Sequence, residues 1–184
     1  YFDGGASVDF NPWLGTQSTA VTKTVTNGTV DAKAEADTEV VVTGTATVTI
    51  FQYPSNPGGS PPTGFSMLDK YIDVYVPDTG NVTEIEIRLY YTDAELAASD
   101  IDDESSLRLD WWNGAAWVHC SDSGVNTAST NGYSGYMWAK IRTNTTPSLA
   151  QLQGTGFSGV GYQEPSTPGG CFIATAAYGT DTAK

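Results

Sequence analysis

The chain alternates apolar and polar positions over most of its length. In Leu107–Cys120, LRLDWWNGAAWVHC, Leu107, Leu109 and Trp111 alternate with Arg108, Asp110 and Trp112, and Trp117 returns beside them after Asn113-Gly114. Asn-Gly supplies the positive φ of a type I′ turn, so the stretch predicts a β-hairpin. Its three Trp within seven residues are the largest concentration of buriable area in the chain. The hairpin is therefore expected at the centre of a β-sandwich core.

The same pattern organises the rest. Tyr1–Gly15 is apolar and aromatic without a clean period and reads as an irregular N-terminal arm, anchored by Phe2, Phe10, Trp13 and Leu14. A β domain over residues 16–162 follows. It opens with AVTKTV, a turn at Asn27-Gly28, the strand TVDAKAEA with Val30, Ala32, Ala34 and Ala36 on one face, and then EVVVTGTATVTIF. Gln52–Phe65 has four Pro and three Gly and predicts the longest loop, a functional segment or a crossover between sheets. DKYIDVYV and NVTEIEIRLYY flank a turn at Pro77–Gly80, with Ile85, Ile87, Leu89 and Tyr91 set against Glu84, Glu86, Arg88 and Tyr90. Thr92 and Glu95 form a capping box that opens one short helix at Asp93–Ala98. The strands GYMWAKIRT and GTGFSGVGY close the domain. Gln163–Gly170 is a Pro/Gly linker, and Cys171–Lys184 begins with the apolar strand CFIATAAYG.

These elements predict an all-β, Ig-like or Greek-key sandwich of about eight to ten strands with N- and C-terminal arms. The expected core is Val42, Val48, Ile50, Ile72, Val74, Ile85, Ile87, Leu89, Leu107, Leu109, Trp111, Trp117 and Ile141.

Composition narrows the setting. Lys and Arg number 8 against 21 Asp and Glu, for a net charge of −13, while Ser and Thr together number 40. Such a surface repels phosphate backbones, so nucleic acid is not an expected partner. No run approaches the ~18 apolar residues of a membrane span, and the chain reads as a mature, processed product. Cys120 and Cys171 lack zinc-type spacing and are expected to pair as one disulfide in a secreted protein, closing a loop worth about 4 kcal/mol.

Candidate chemistry is sparse. His119, in the second arm of the Trp hairpin, is the one histidine; a triad or a His-rich metal site needs partners that it does not supply, and no enzyme activity is expected. Asp100, Asp102, Asp103 and Glu104 offer oxygen ligands for structural calcium, although the EF-hand spacing is absent. Asn27, Asn81 and Asn144 begin glycosylation sequons. Tyr71, Tyr75, Tyr90, Trp112 and Trp138, on polar strand faces, are candidates for a sugar-stacking platform.

The run from Ile85 to Thr127, with YYTDAEL, an acidic turn, SSLRL and the Trp hairpin, resembles a module of archaeal and bacterial surface proteins of the PGF-pre-PGF type. The segment CFIATAAYG resembles the CFI-box C-terminal segment of secreted proteins. The resemblance implies an extracellular or surface location and no enzymatic activity. The expected function is a structural subunit of an extracellular filament, sheath or surface layer, polymerising with copies of itself by strand addition. Either arm is a candidate donor, through Phe2, Phe10, Trp13 and Leu14 or through Phe172, Ile173 and Tyr178. The alternative is a monomeric surface adhesin or carbohydrate-binding module.

Overall fold

The computed structural model describes residues 18–163, and they form an all-β fold of nine antiparallel strands. Its spine is a long hairpin of β1 (Ser18–Ala32) and β2 (Thr38–Tyr53), reversed through α1 (Lys33–Ala36). The remaining strands are β3 (Phe65–Tyr75), β4 (Val82–Tyr91), β5 (Arg108–Trp112), β6 (Trp117–His119), β7 (Ser123–Asn126), β8 (Gly135–Ile141) and β9 (Gly156–Tyr162). The second helix, α2 (Asp93–Ala98), opens on the expected capping box, with Glu95 Oε2 accepting from the Thr92 N–H at 2.8 Å.

Strand order is β6-β5-β9-β3-β2-β4-β8-β7, with β1 along the other side of β2. The length of β2 explains how one hydrogen-bonded ladder makes two layers. Its end, Thr49–Tyr53, pairs with β3, while its beginning, Thr38–Gly44, pairs with β4. Between these stretches the strand kinks at Gly44, where φ is +115° and the register with β4 shifts. Gly is required there because a Cβ would lie 2.1 Å from the Asn81 carbonyl oxygen. The two halves then close face to face. Gly159 on β9 seats Met137 of β8 so tightly that a Cβ would approach its Sδ to 2.6 Å. The chain passes between layers after β3, after β4, after β6 and after β8, consistent with Greek-key connection.

All thirteen expected core residues are buried, in one cluster apart from Trp117. Three local expectations change. Asn27-Gly28 is not a turn: β1 runs through it as a β-bulge, with the register shifting between Thr26 and Gly28. Asn27 takes φ +44°, and its Oδ1 accepts from the Gly44 N–H at 2.9 Å across the hairpin. A bulge uses the same positive φ as a turn, and here the side-chain bond to β2 holds the strand straight on. The reversal comes later, because TVDAKAEA is a strand only to Ala32 and then coils into α1, ending at Asp37 with φ +48°. The Trp hairpin closes on the pair Trp112–Trp117, so its loop is the four residues Asn113–Ala116 rather than two. Asn113 Oδ1 accepts from the N–H groups of both Ala115 and Ala116 at 2.9 Å.

Candidate functional site

Alternation places Trp111 in the inter-layer core and Trp112 on the outer face of the first layer, β6-β5-β9-β3, the second being β4-β8-β7. There Trp112 and Trp117 pack with ring centroids 5.5 Å apart and planes inclined by 60°, beside Tyr53 and Tyr71. The Pro/Gly loop after β2 lies over them as a strap. Gly58 approaches the Trp112 indole so closely that a Cβ would sit 2.6 Å from Cε3, and Trp117 Nε1 donates to the Gly59 carbonyl at 2.8 Å. Glycine is the residue that lets backbone lie flat on an indole. The expectation of an open aromatic platform is corrected: Trp112 is buried beneath the strap, Tyr71 and Tyr90 are buried as well, the latter between Tyr133 and Tyr136, and Tyr75 and Trp138 are partly buried.

The same face conceals two carboxylates that the sequence pattern assigned to a solvated side. Asp73 is 1% exposed and accepts from the Tyr53 hydroxyl at 3.2 Å. Burial pushes its carboxyl up to about 7, against hydrogen bonds from Tyr53 and the Thr155 backbone that favour the charged form. Asp110 is fully buried and answers Arg108 Nε at 2.9 Å, with His119 Nδ1 at 3.5 Å. Their only sequence signal was an acid inside a run of large apolar neighbours, YIDVYV and LDWW.

The acidic turn does not converge. Asp103 Oδ1 accepts from the Ser105 N–H at 2.9 Å, capping a short 3₁₀ turn, and Glu104 accepts from the Tyr91 hydroxyl at 2.9 Å. Asp100 takes φ +52° at the end of α2, and the Asp102 N–H donates to the Tyr162 carbonyl. Among the described residues no three His, Cys, Asp or Glu side chains are placed to hold a metal ion. Asn27, Asn81 and Asn144 are all exposed. Cys120 is buried, and burial pushes its thiol well up; Cys171 lies outside the described residues, as do both arms with Phe2, Phe10, Trp13, Leu14, Phe172, Ile173 and Tyr178.

The outer face of the second layer is a lattice of ion pairs. Arg142 bridges Glu84 and Asp122, Arg88 bonds Glu86 at 2.6 Å, and Lys33 joins Asp31 to Glu39. Lys70 holds both Asp37 and Glu95 at 2.8 Å. These cations are thereby committed to local acids.

The edge opposite is different. Among the described residues β1 pairs with β2 alone, over fifteen residues, whereas the edge strands β6 and β7 have three and four. Its first half has two unlike faces. Thr22, Thr24 and Thr26 point outward, and their hydroxyls hydrogen-bond those of Thr49, Thr47 and Thr45 at 3.1, 2.7 and 3.0 Å. Val21, Lys23 and Val25 point toward the core, opposite the fully buried Ile50 and Val48 and the nearly buried Ala46. Val21 and Val25 are only half-buried although they pack on the core, so its apolar interior reaches the surface along this line. Across all of β1 the charges are Lys23 and Asp31.

Among the described residues no helix is long and apolar enough to cross a membrane. Comparison with protein-family models, curated proteins and solved structures finds no match to this chain.

Proposed function

We propose that the chain is a structural subunit of an extracellular filament, sheath or surface layer, assembled by adding a strand from a terminal arm to β1. The observation that carries this reading is the edge itself, a fifteen-residue strand that has one partner among the described residues and carries half-buried apolar side chains. Such an edge presents a row of backbone N–H and C=O groups to any extended segment, and every bond formed there is a ladder bond. A head-to-tail contact of this kind propagates as a fibre wherever its rotation does not close a ring. The strongly acidic, Thr-rich composition and the resemblance to secreted surface modules support an extracellular setting.

The test compares the full chain with deletions of residues 1–15 and 163–184, by light scattering over a concentration series and by electron microscopy. Fibres or sheets from the full chain, lost with one deletion, are expected. A full chain that stays monomeric at high concentration, unchanged by either deletion, overturns the proposal.

A further inference from the structure

We infer that residues 2–10 of one copy are the strand that seats on β1 of the next copy. The inference rests on the strand-addition reading above and names its donor.

The edge sets the specification. A strand laid along Ser18–Thr26 continues both faces of β1, so it needs apolar side chains beside Val21 and Val25 and polar ones beside Thr22, Thr24 and Thr26. The stretch FDGGASVDF meets it. Phe2, Gly4, Ala6, Val8 and Phe10 fall on one face, and Asp3, Gly5, Ser7 and Asp9 on the other. Nine residues extend about 30 Å, enough to span Ser18–Thr26, where β1 has a bulge at Ala20 and then alternates without interruption over Val21–Thr26 up to its second bulge at Asn27. The apolar C-terminal segment does not fit as well. Phe172, Ala174, Ala176 and Tyr178 alternate with Cys171, Ile173, Thr175 and Ala177, which would leave Ile173 and Ala177 facing water beside the Thr rows.

Lys23 adds a second condition. It points toward the core between Val21 and Val25 yet is exposed, a device that discourages indiscriminate pairing at an edge. A donor is tolerated where its neighbouring side chain is small enough for the lysine stem to run past it to water. Gly4 and Ala6, at the middle of the segment, provide that gap. The segment also contains two acids and no cation, so it approaches Lys23 favourably in a molecule that otherwise repels itself.

Seating the segment on the chain's own edge would need the chain to reverse within residues 11–17. Between copies no reversal is needed, and residues 11–17 become the link.

The test uses full-length Ala6→Cys and Lys23→Cys chains, prepared separately, mixed and oxidised, with the new bond identified by peptide mass spectrometry. Native Cys120 and Cys171 are distinguished by the same mapping, and a thermal melt confirms that each variant folds. A disulfide between residues 6 and 23 of different chains is expected in the mixture, and a covalent ladder from the double variant. Excess synthetic peptide of residues 1–11 is expected to reduce wild-type assembly at least several-fold, and a scrambled peptide to leave it unchanged. A double variant that links 6 to 23 only within one chain overturns the inference, because the arm then closes its own edge. Wild-type fibres that form without any 6–23 bond and ignore the peptide overturn it while leaving strand addition by another donor standing. A wild-type chain that stays monomeric, with no bond in the mixture, overturns both.

Discussion

Replacing Asp73 by Asn should abolish a measurable pH dependence of stability. Asp73 lies under the strap, 1% exposed, with its carboxyl pushed up from 3.8 to about 7 chiefly by burial. A carboxyl raised in the folded state binds its proton more tightly there than in the unfolded chain. Below pH 3.8 both states are protonated and the group costs nothing. Between pH 3.8 and about 7 the folded state alone retains the proton, so stability falls with rising pH, by up to 1.36 kcal/mol per unit. Above pH 7 the penalty is fully developed, at about 4 kcal/mol for a shift of roughly three units. Asparagine keeps the shape and an acceptor for the Tyr53 hydroxyl but does not titrate. Urea unfolding of both proteins at pH 4.5, 6 and 8 isolates this group, because every other titration is common to the two. The wild type minus variant difference should become less favourable to wild type by about 3 kcal/mol between pH 4.5 and pH 8, with most of the change below pH 7. A difference constant within 0.5 kcal/mol across that range, about the error of such measurements, would refute the reasoning.

Three further outcomes follow from the packing. Trp111→Ala removes an indole from the inter-layer core and should cost about 3–5 kcal/mol by chemical denaturation; a near-neutral effect would contradict its placement. Gly58→Ala puts a methyl group within contact of the Trp112 ring, so the strap must lift, and tryptophan emission should shift to the red with little change in the cooperative melt. An unshifted spectrum would mean that the strap does not cover Trp112. Under reducing conditions the Cys120 thiol, buried and pushed well above its usual range, should resist a maleimide until denaturant is added; rapid native labelling would count against its burial.

How much was legible in the sequence depended on whether one face or two were in play. Ile85, Ile87 and Leu89 opposed to Glu84, Glu86 and Arg88 left no choice of orientation, since a shift of one residue would bury three charged side chains. Trp112 and Tyr71 share the same alternation, but their cover is supplied by the strap, whose four Pro and three Gly show no period at all. Pattern therefore assigned them to water, and Asp73 with them. Asn27-Gly28 misled for another reason. Its positive φ was read correctly, but turn and bulge use it alike, and only the bond to Gly44, seventeen residues on, decides between them. The edge of β1 was invisible in the same way, because its exposure is a property of which strands do not pair with it.

The passage of β1 and β2 through both layers bears on how the domain comes apart. In a sandwich of two separate sheets, one sheet can loosen while the other keeps its hydrogen bonds. Here the pairs from Ser18–Gln52 to Ala32–Thr38 belong to one ladder, so freeing either layer means breaking into a row of bonds that the other also depends on. The domain lacks a seam at which a half-structured state could stop. Heat or denaturant should therefore meet a single cooperative unit, one that keeps its hydrophobic interior closed until all of it opens together.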